Sequence, residues 1–252
     1  MGRYAAASRT RGLPHLPGPP IPHDLSAPDA LPRSKDGSVH VTNERFNTIS
    51  HLFGACFALV GAGLLITQAA EQGDPWKIVG MSIYGLSLIM LFTTSSLHHG
   101  LDSSARVNEA LRTLDYDSVF FLIAGTVTPL VLVLFRNTYG WTVFGAVWAI
   151  AISGIVLRSV WRRVPKYITN TLYISLGWLT VVLIGGGVSL PIGALVLMAA
   201  GGLVYSVGFV IFVIEKPNPL PGVFGFHEVW HAMVLVAAFM HYLMIYVYVL
   251  PV

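Results

Sequence analysis

The chain has 252 residues, of which 54% are hydrophobic and only 11% are charged, and its mean hydropathy is +0.68. Soluble domains carry about 25% charged residues, so this composition excludes an ordinary soluble protein and indicates a membrane protein. The net charge of +3 is modest and comes from residues outside the apolar stretches, so we predict no nucleic-acid partner.

The first 40 residues are rich in proline, arginine and small residues. Proline fixes φ and removes a backbone donor, and the segment has few large apolar side chains to bury. We predict that residues 1–40 form a disordered tail, and that residues 41–252 form a separate membrane domain. His15, His23 and His40 lie in this tail and are not expected to belong to a site.

Seven apolar windows of about 20 residues, the length that crosses a bilayer core, follow the tail. They lie at 49–69, 78–97, 117–135, 141–160, 169–188, 193–214 and 229–250. The sequence therefore predicts an all-α, polytopic membrane protein with seven transmembrane helices. The fifth window is the weakest, because it ends in three glycines. Cys56, the single cysteine, lies in the first window and is expected to be a small buried side chain.

Lysine and arginine residues are distributed unevenly between the two sides of the predicted spans. With the N-terminus inside, 13 of the 15 basic residues lie in the tail or near the cytoplasmic ends of the spans, and only Lys77 and Arg136 lie outside. The positive-inside rule therefore predicts a cytoplasmic N-terminus and an external C-terminus. We expect a multi-pass protein of the plasma membrane.

Polar side chains gather at the predicted cytoplasmic ends of four spans: His51, His98, His99, Asp115, Asp117, His227 and His231. The topology was derived from basic residues alone, so this agreement is independent evidence that these side chains meet. His227 and His231 are four residues apart, which places both rings on one helix face, about 5–6 Å apart. A third ligand from the second span would complete a three-ligand zinc site with one open position, as in catalytic sites.

Two other interpretations of the histidines are open. The residues from His227 to His231 match the H-E-x-x-H pattern, in which the glutamate of a zinc protease acts as general base. The metzincin extension is absent, because Val234 stands in place of its glycine. Glu228 is expected to favour the N-terminal end of its helix and, pointing about 100° away from His227, to reach water. Histidines that simply lie near lipid head groups are the second alternative.

Three separated segments resemble the hemolysin III family, which belongs to the larger group of progestin and adipoQ (adiponectin) receptors and alkaline ceramidases. The segments are Thr94–His99, Leu114 to Pro129, and His227–His231 followed by His241 and Tyr242. The likeness covers residues from about 44 to 252, with the segments in the family's order. The resemblance implies seven spans with the N-terminus inside, as the basic residues also predict.

The resemblance further implies a Zn²⁺ ion bound by His99, His227 and His231. It implies that Asp115 holds or activates a water molecule at the zinc. Ser95 lies one turn before His99 and would stabilise an oxyanion or orient a ligand. The alternative for Ser95 is a hydroxyl-to-carbonyl hydrogen bond within its own helix.

The remaining polar residues have less direct roles. Asn47 and His51 would support the site by hydrogen bonding to Asp115 or water, or else form a structural pair at the interface. His98 lies about 100° around the helix from His99 and is not expected to bind the same ion. His241 lies about 15 Å deeper than His231 and is expected to be packed and hydrogen-bonded.

These observations favour a zinc-dependent hydrolase that acts on an amide- or ester-linked membrane lipid, as the related ceramidases do. Zinc would lower the pKa of water towards ~7, Asp115 would be the general base, and an intramembrane cavity would hold an acyl chain. The alternatives are a receptor with structural zinc and a membrane-lytic protein, as the family name implies. The polar residues cluster at one membrane face rather than along the whole depth, which argues against a pore.

Overall fold

The computed structural model describes residues 34–161 and 164–252. Residues 1–33 of the predicted tail, including His15 and His23, lie outside the described residues. The described residues form seven long helices, and no β-strand occurs within those two ranges: α1 (Glu44–Gln72), α2 (Pro75–Gly100), α3 (Ala105–Pro129), α4 (Thr138–Val160), α5 (Lys166–Leu179), α6 (Ile192–Ile214) and α7 (Phe226–Met244). A π-helical turn extends both α3 (Leu130–Leu134) and α7 (Ile245–Val249), and a 3-10 turn extends α5 (Thr180–Gly185).

All seven helices are long and apolar enough to cross a membrane, which confirms the predicted fold class. The third helix begins earlier than the predicted span. Its first residue is Ala105, about 15 Å before Asp115 along the helix axis. Asp115 and Asp117 therefore lie within α3, because the helix extends about three turns beyond the predicted apolar span at its N-terminal end. The first three turns of α3 carry the charged residues Arg106, Glu109 and Arg112, so the search for apolar windows does not detect them.

Capping side chains stabilise the N-terminal ends of four helices. Asn43, Asp74, Ser104 and Asn137 each accept a hydrogen bond from a backbone N–H in the first turn of the following helix. Gly73 ends α1 in the left-handed conformation with φ of 69°, which glycine adopts without strain. The chain then enters α2 directly, so α1 and α2 form a tight helical hairpin.

The buried core lies between α1, α2, α3 and α7. Its fully buried side chains include Leu65, Met81, Tyr84, Phe120, Val131 and Ile245. In the most apolar window of α3, 67% of the residues are buried, whereas the figure for α6 is 11%. Helix α6 is therefore the least buried of the seven helices.

Small residues allow α1 to approach its neighbours closely. A Cβ atom at Gly85 of α2 would lie 2.6 Å from the Ala62 Cβ of α1, and one at Gly61 would lie 2.8 Å from the Tyr242 ring of α7. Cys56 is exposed on the outer face of α1, so the expectation that it is buried is wrong. A small apolar side chain is equally stable against lipid, and composition alone does not distinguish the two environments.

The segment before α1, residues 34–43, packs against the helical bundle, although the sequence predicts disorder up to residue 40. The Lys35 ammonium donates hydrogen bonds to the carbonyls of His98 and Leu101 at the end of α2. The Ser38 hydroxyl donates to Glu215 Oε2 at the end of α6, over 2.7 Å. These polar contacts attach the segment to two helix ends, and hydrophobic periodicity does not reveal them.

Candidate metal centre

Three histidines converge where α2 ends and α7 begins. His99 lies in the last turn of α2, and His227 and His231 lie in the first turns of α7. All three are buried, with exposed fractions of 3%, 3% and 2%. One ring nitrogen from each lies within 4.8 Å of those of the other two. The structure therefore brings together the three predicted metal ligands.

The spacing of the ring nitrogens suits a single metal ion. His227 Nε2 lies 3.3 Å from His99 Nε2 and 3.2 Å from His231 Nε2. Two ligands about 2.0–2.1 Å from a tetrahedral zinc ion are themselves about 3.3–3.4 Å apart. A neutral imidazole has only one N–H, so the three rings cannot satisfy one another by hydrogen bonding. The cluster fits a metal ion of the zinc type.

Glu44, the first residue of α1, supports His99. Its Oε2 atom lies 2.5 Å from His99 Nδ1, and a Nδ1–H donated to this carboxylate leaves the Nε2 lone pair facing the cluster. A carboxylate on the outer nitrogen is the usual support for a metal-binding histidine. The sequence analysis did not select Glu44. Its spacing from Asn47 and His51 is the sequence feature that could have identified it, because this spacing places all three residues on one face of α1.

His51 and Asn47 lie beside the cluster but do not contact Asp115 in the predicted way. The His51 ring stacks on the His231 ring, with centroids 3.8 Å apart, and so restricts the orientation of His231. Among the described residues, neither His51 ring nitrogen has a hydrogen-bond partner. The Asn47 amide donates to Glu228 Oε1 over 3.2 Å. Both residues therefore act on α7 rather than on α3.

Glu228 is buried, with an exposed fraction of 1%, so the expectation that it reaches water is wrong. Its Oε1 accepts from the Asn43 backbone N–H at 2.6 Å and from the Asn47 amide, and its Oε2 accepts from the Gly225 N–H at 2.6 Å. The N-terminal end of α1 covers this side of α7, which a helical projection of α7 alone does not show. Glu228 holds α1 and α7 together, and its occupied oxygens do not suit the general base of a protease.

Asp115 and Ser95 line a cavity that also reaches His227 and His231. Ser95 is buried one turn before His99, and its hydroxyl is adjacent to the Asp115 carboxyl. Asp117 lies elsewhere, because it accepts a hydrogen bond from Arg158 Nε over 2.9 Å. Of the two aspartates predicted near the site, only Asp115 therefore faces the cavity.

Asp36, which is not among the predicted site residues, lies beside His98 and His99. Its Oδ1 accepts from the Tyr116 hydroxyl at 2.8 Å and lies 3.2 Å from His98 Nε2. Burial alone would raise the pKa of the Asp36 carboxyl, but the His98 hydrogen bond and the charges of His227 and His99 hold it well below its usual range. His98 Nε2 thus faces Asp36, and His98, Asp36 and His99 form a second group whose ligand atoms lie within 4.8 Å of one another. That His98 does not bind the ion of the three converging rings stays a prediction.

Two other histidines lie away from the cluster. His241 Nε2 lies 3.3 Å from the Met198 carbonyl oxygen, and a Cβ atom at Gly201 would lie 2.6 Å from the His241 ring. His241 is therefore packed and hydrogen-bonded, as predicted. His40 lies 3.9 Å from Glu215 Oε2 at the end of α6.

An elongated cavity of about 690 Å³ runs from the cluster into the bundle between α2, α3, α5, α6 and α7. Its polar end contains Asp115, His227 and His231, and it extends to Met244, about 20 Å further along α7. Most of its lining is apolar. Trp178 of α5 and Leu203 of α6 also line it, and their exposed fractions are 50% and 56%. The cavity is therefore open, and not sealed by side chains, beside α5 and α6.

Comparison with known proteins gives matches over nearly the whole membrane domain. Residues 39–242 match the family model described as "Haemolysin-III related". The chain is 34% identical to Hemolysin-3 of Bacillus cereus over 219 residues, covering 84% of this chain and 94% of the relative. It is 32% identical to the Hemolysin-3 homolog of Bacillus subtilis (strain 168) over 196 residues, covering 77% and 89%. It is 26% identical to the Monocyte to macrophage differentiation factor of Homo sapiens over 206 residues, covering 80% and 82%.

Proposed function

This chain belongs to the haemolysin-III-related family of multi-pass membrane proteins, and we propose that it is a zinc-dependent hydrolase of an amide- or ester-linked membrane lipid. One observation carries the proposal: a long apolar cavity ends at three converging histidines, a carboxylate and a hydroxyl. The apolar length of the cavity suits an acyl chain. A head group and scissile bond held at its polar end would lie next to the ligand cluster.

The residues at the polar end have complementary tasks. A zinc ion, when bound, would polarise the substrate carbonyl and lower the pKa of water towards ~7. Asp115 would accept a proton at its carboxylate as the water oxygen bonds to the carbonyl carbon. It would then return this proton to the leaving nitrogen or oxygen as the C–N or C–O bond breaks. The Ser95 hydroxyl would donate a hydrogen bond to the oxyanion or orient Asp115, and Glu44 would fix the tautomer of His99.

The alternatives make different demands on the same residues. A receptor with structural zinc needs the three histidines and the cavity, but it does not need a proton acceptor at Asp115. A lytic pore needs a polar path through the membrane, whereas the cavity lining is mainly apolar. The role of Asp115 therefore separates a hydrolase from a receptor.

The test uses the purified full-length protein, with zinc measured by elemental analysis and lipid products measured by mass spectrometry. The substrates are one N-acylated sphingoid lipid and one glycerol ester lipid. Asp115→Asn keeps the shape but removes the base, so turnover should fall about 10²–10⁴-fold with zinc content and thermal stability unchanged. Glu109→Gln, at an ion pair with Arg112 on α3, is the control and should retain activity.

The His227→Ala, His231→Ala double variant should lose zinc and activity together. Full zinc occupancy in that variant would exclude the metal site. Zinc binding without any lipid product from the wild-type protein would support the receptor instead. Turnover that is unchanged in Asp115→Asn would remove Asp115 from the chemistry.

A further inference from the structure

A second cavity, of about 360 Å³, lies where α3 and α5 begin and α4 ends. Among the described residues that line it, three are basic (Arg112, Arg158 and Lys166) and one is acidic (Glu109). We call this cavity the basic vestibule. Tyr116, Arg158 and Lys166 also line the long cavity that leads to the histidines. The two cavities are therefore adjacent, and one molecule can occupy both.

Arg158 is held so that one edge of its guanidinium group stays free. Its Nε donates to Asp117 Oδ1 over 2.9 Å, and its guanidinium carbon lies 4.7 Å from the centre of the Tyr116 ring. The side chain has an exposed fraction of only 17%. Within the described part of the chain, neither of its Nη atoms has a hydrogen-bond partner. A planar arginine fork held in this way matches the oxygens of a phosphate group.

Two further cations and the start of α5 add donors to the vestibule. Arg112 uses Nε and Nη2 for its ion pair with Glu109, and its Nη1 is not part of that pair. Lys166 is exposed and begins α5. Pro165 precedes it and provides no side-chain cap, so the first backbone N–H groups of α5 present the positive end of the helix dipole. An anion would be stabilised here by both charge and hydrogen bonds.

Tyr116 connects the vestibule with the histidine cluster. Its ring packs against Arg158, and its hydroxyl donates to Asp36 Oδ1 over 2.8 Å. Asp36 Oδ2 in turn lies 3.3 Å from His227 Nε2. The phosphate of a phospholipid is only a few bonds away from its acyl linkages. Such a phosphate can therefore reach Arg158 while an acyl linkage lies at the histidines.

We infer that the basic vestibule binds the phosphate of an anionic phospholipid whose acyl chain occupies the long cavity. The inference rests on the proposed function for the position of the chain, and it names the class of substrate, but binding does not require hydrolysis. Residues 158–166 contain four basic residues and no acidic one. Basic residues beside a membrane surface attract anionic lipids in general, and the fixed fork of Arg158 adds a geometry that suits phosphate.

The test compares two lipids that cannot be hydrolysed, because ether bonds replace their esters. They are a dialkyl phosphatidate and the dialkylglycerol with the same chains. The purified full-length protein is equilibrated with an equal mixture in neutral detergent micelles and separated from excess lipid, and its bound lipid is measured by mass spectrometry. Relative to the micelles, the wild type should retain the phosphatidate about tenfold over the dialkylglycerol. Glycerol phosphate, which has the head group without chains, should not displace it at the same concentration.

Three variants locate the preference. Arg158→Lys keeps the charge and an ion pair with Asp117 but loses the planar fork, so the preference should fall to about threefold or less. Lys166→Gln changes an exposed side chain and should lower the preference about threefold; it also provides the test if Arg158→Lys does not fold. Arg106→Gln removes the same charge from an exposed position of α3 outside the vestibule and should keep the wild-type preference.

A preference that is absent from the wild type, or equal in the wild type, Arg158→Lys and Lys166→Gln, would overturn the inference. Displacement by glycerol phosphate would also overturn it and leave a site for a free phosphate anion. Both results would leave the zinc site and the hydrolysis of a neutral lipid intact. A preference that the vestibule variants lose, in a protein that forms no lipid product, would support the phosphate site and refute the hydrolase. The two proposals can therefore fail separately.

Discussion

Replacing Glu228 tests whether this buried carboxylate holds the helices around the site or takes part in the chemistry. It accepts three hydrogen bonds, from the Asn43 N–H, the Asn47 amide and the Gly225 N–H. In Glu228→Gln, the single carbonyl oxygen can replace Oε1 and keep two of these bonds. The new NH₂ group then faces the Gly225 N–H, and two donors oppose each other.

The expected loss of stability follows from the number of hydrogen bonds that the substitution removes. One buried donor left without an acceptor costs about 1–3 kcal/mol, so we expect Glu228→Gln to lower the free energy of unfolding by about 2 kcal/mol. For a chain of this length, each kcal/mol corresponds to about 2–4 °C, which gives a fall in Tm of about 4–8 °C. Glu228→Ala removes all three acceptors and should cost about 4 kcal/mol, because water can still reach the half-buried Asn43 N–H.

The measurement is thermal unfolding in detergent micelles, followed by tryptophan fluorescence, with zinc content and turnover determined on the same samples. Glu71→Gln changes an exposed carboxylate on α1 and should leave Tm unchanged. Below Tm, the Glu228→Gln protein that remains folded should keep most of its activity. A Tm equal to that of the wild type, together with a loss of turnover like that expected for Asp115→Asn, would refute this reasoning. Together with unchanged turnover in Asp115→Asn, it would show that Glu228, and not Asp115, is the base.

Two further predictions concern the support of the cluster and the orientation of the chain. Glu44→Ala should weaken zinc binding about 10–100-fold in competition with a chelator, whereas Glu71→Ala should not; equal affinity would show that Glu44 does not orient His99. A reporter fused after Val252 should be active outside the cell membrane and one at the N-terminus inside, as the 13 to 2 division of basic residues requires. A cytoplasmic C-terminus would contradict the predicted orientation.

The sequence was sufficient to predict the seven helices and the convergence of the three histidines. Long apolar stretches must be helical in a membrane, because each backbone group needs a partner within its own segment. The spacing of His227 and His231 fixes both rings on one face of α7, and the predicted topology brings His99 to the same level. These conclusions depend on local periodicity and on the membrane boundary, and both can be read from the sequence.

The carboxylates around the histidines could not be assigned in this way. Asp36 lies in a polar segment without periodicity, and its position depends on Lys35 and Ser38 contacting two separate helix ends. Glu44 precedes the first apolar window, so hydrophobic periodicity says nothing about where its side chain lies. Glu228 faces away from His227 on α7, but α1 covers it. In each case the partner lies far away in the sequence, and helical periodicity carries no information about it.

The proposed function would have this cavity filled from the bilayer. The quantity that determines its occupancy would then be the mole fraction of a lipid in one leaflet. Ordinary phospholipid chains, present there at far higher density than any minor lipid, would compete for the same apolar space. A hydrolase of the proposed kind would therefore discriminate between lipids at the short polar end beside the histidines, and hardly at all along the apolar part that forms most of the lining.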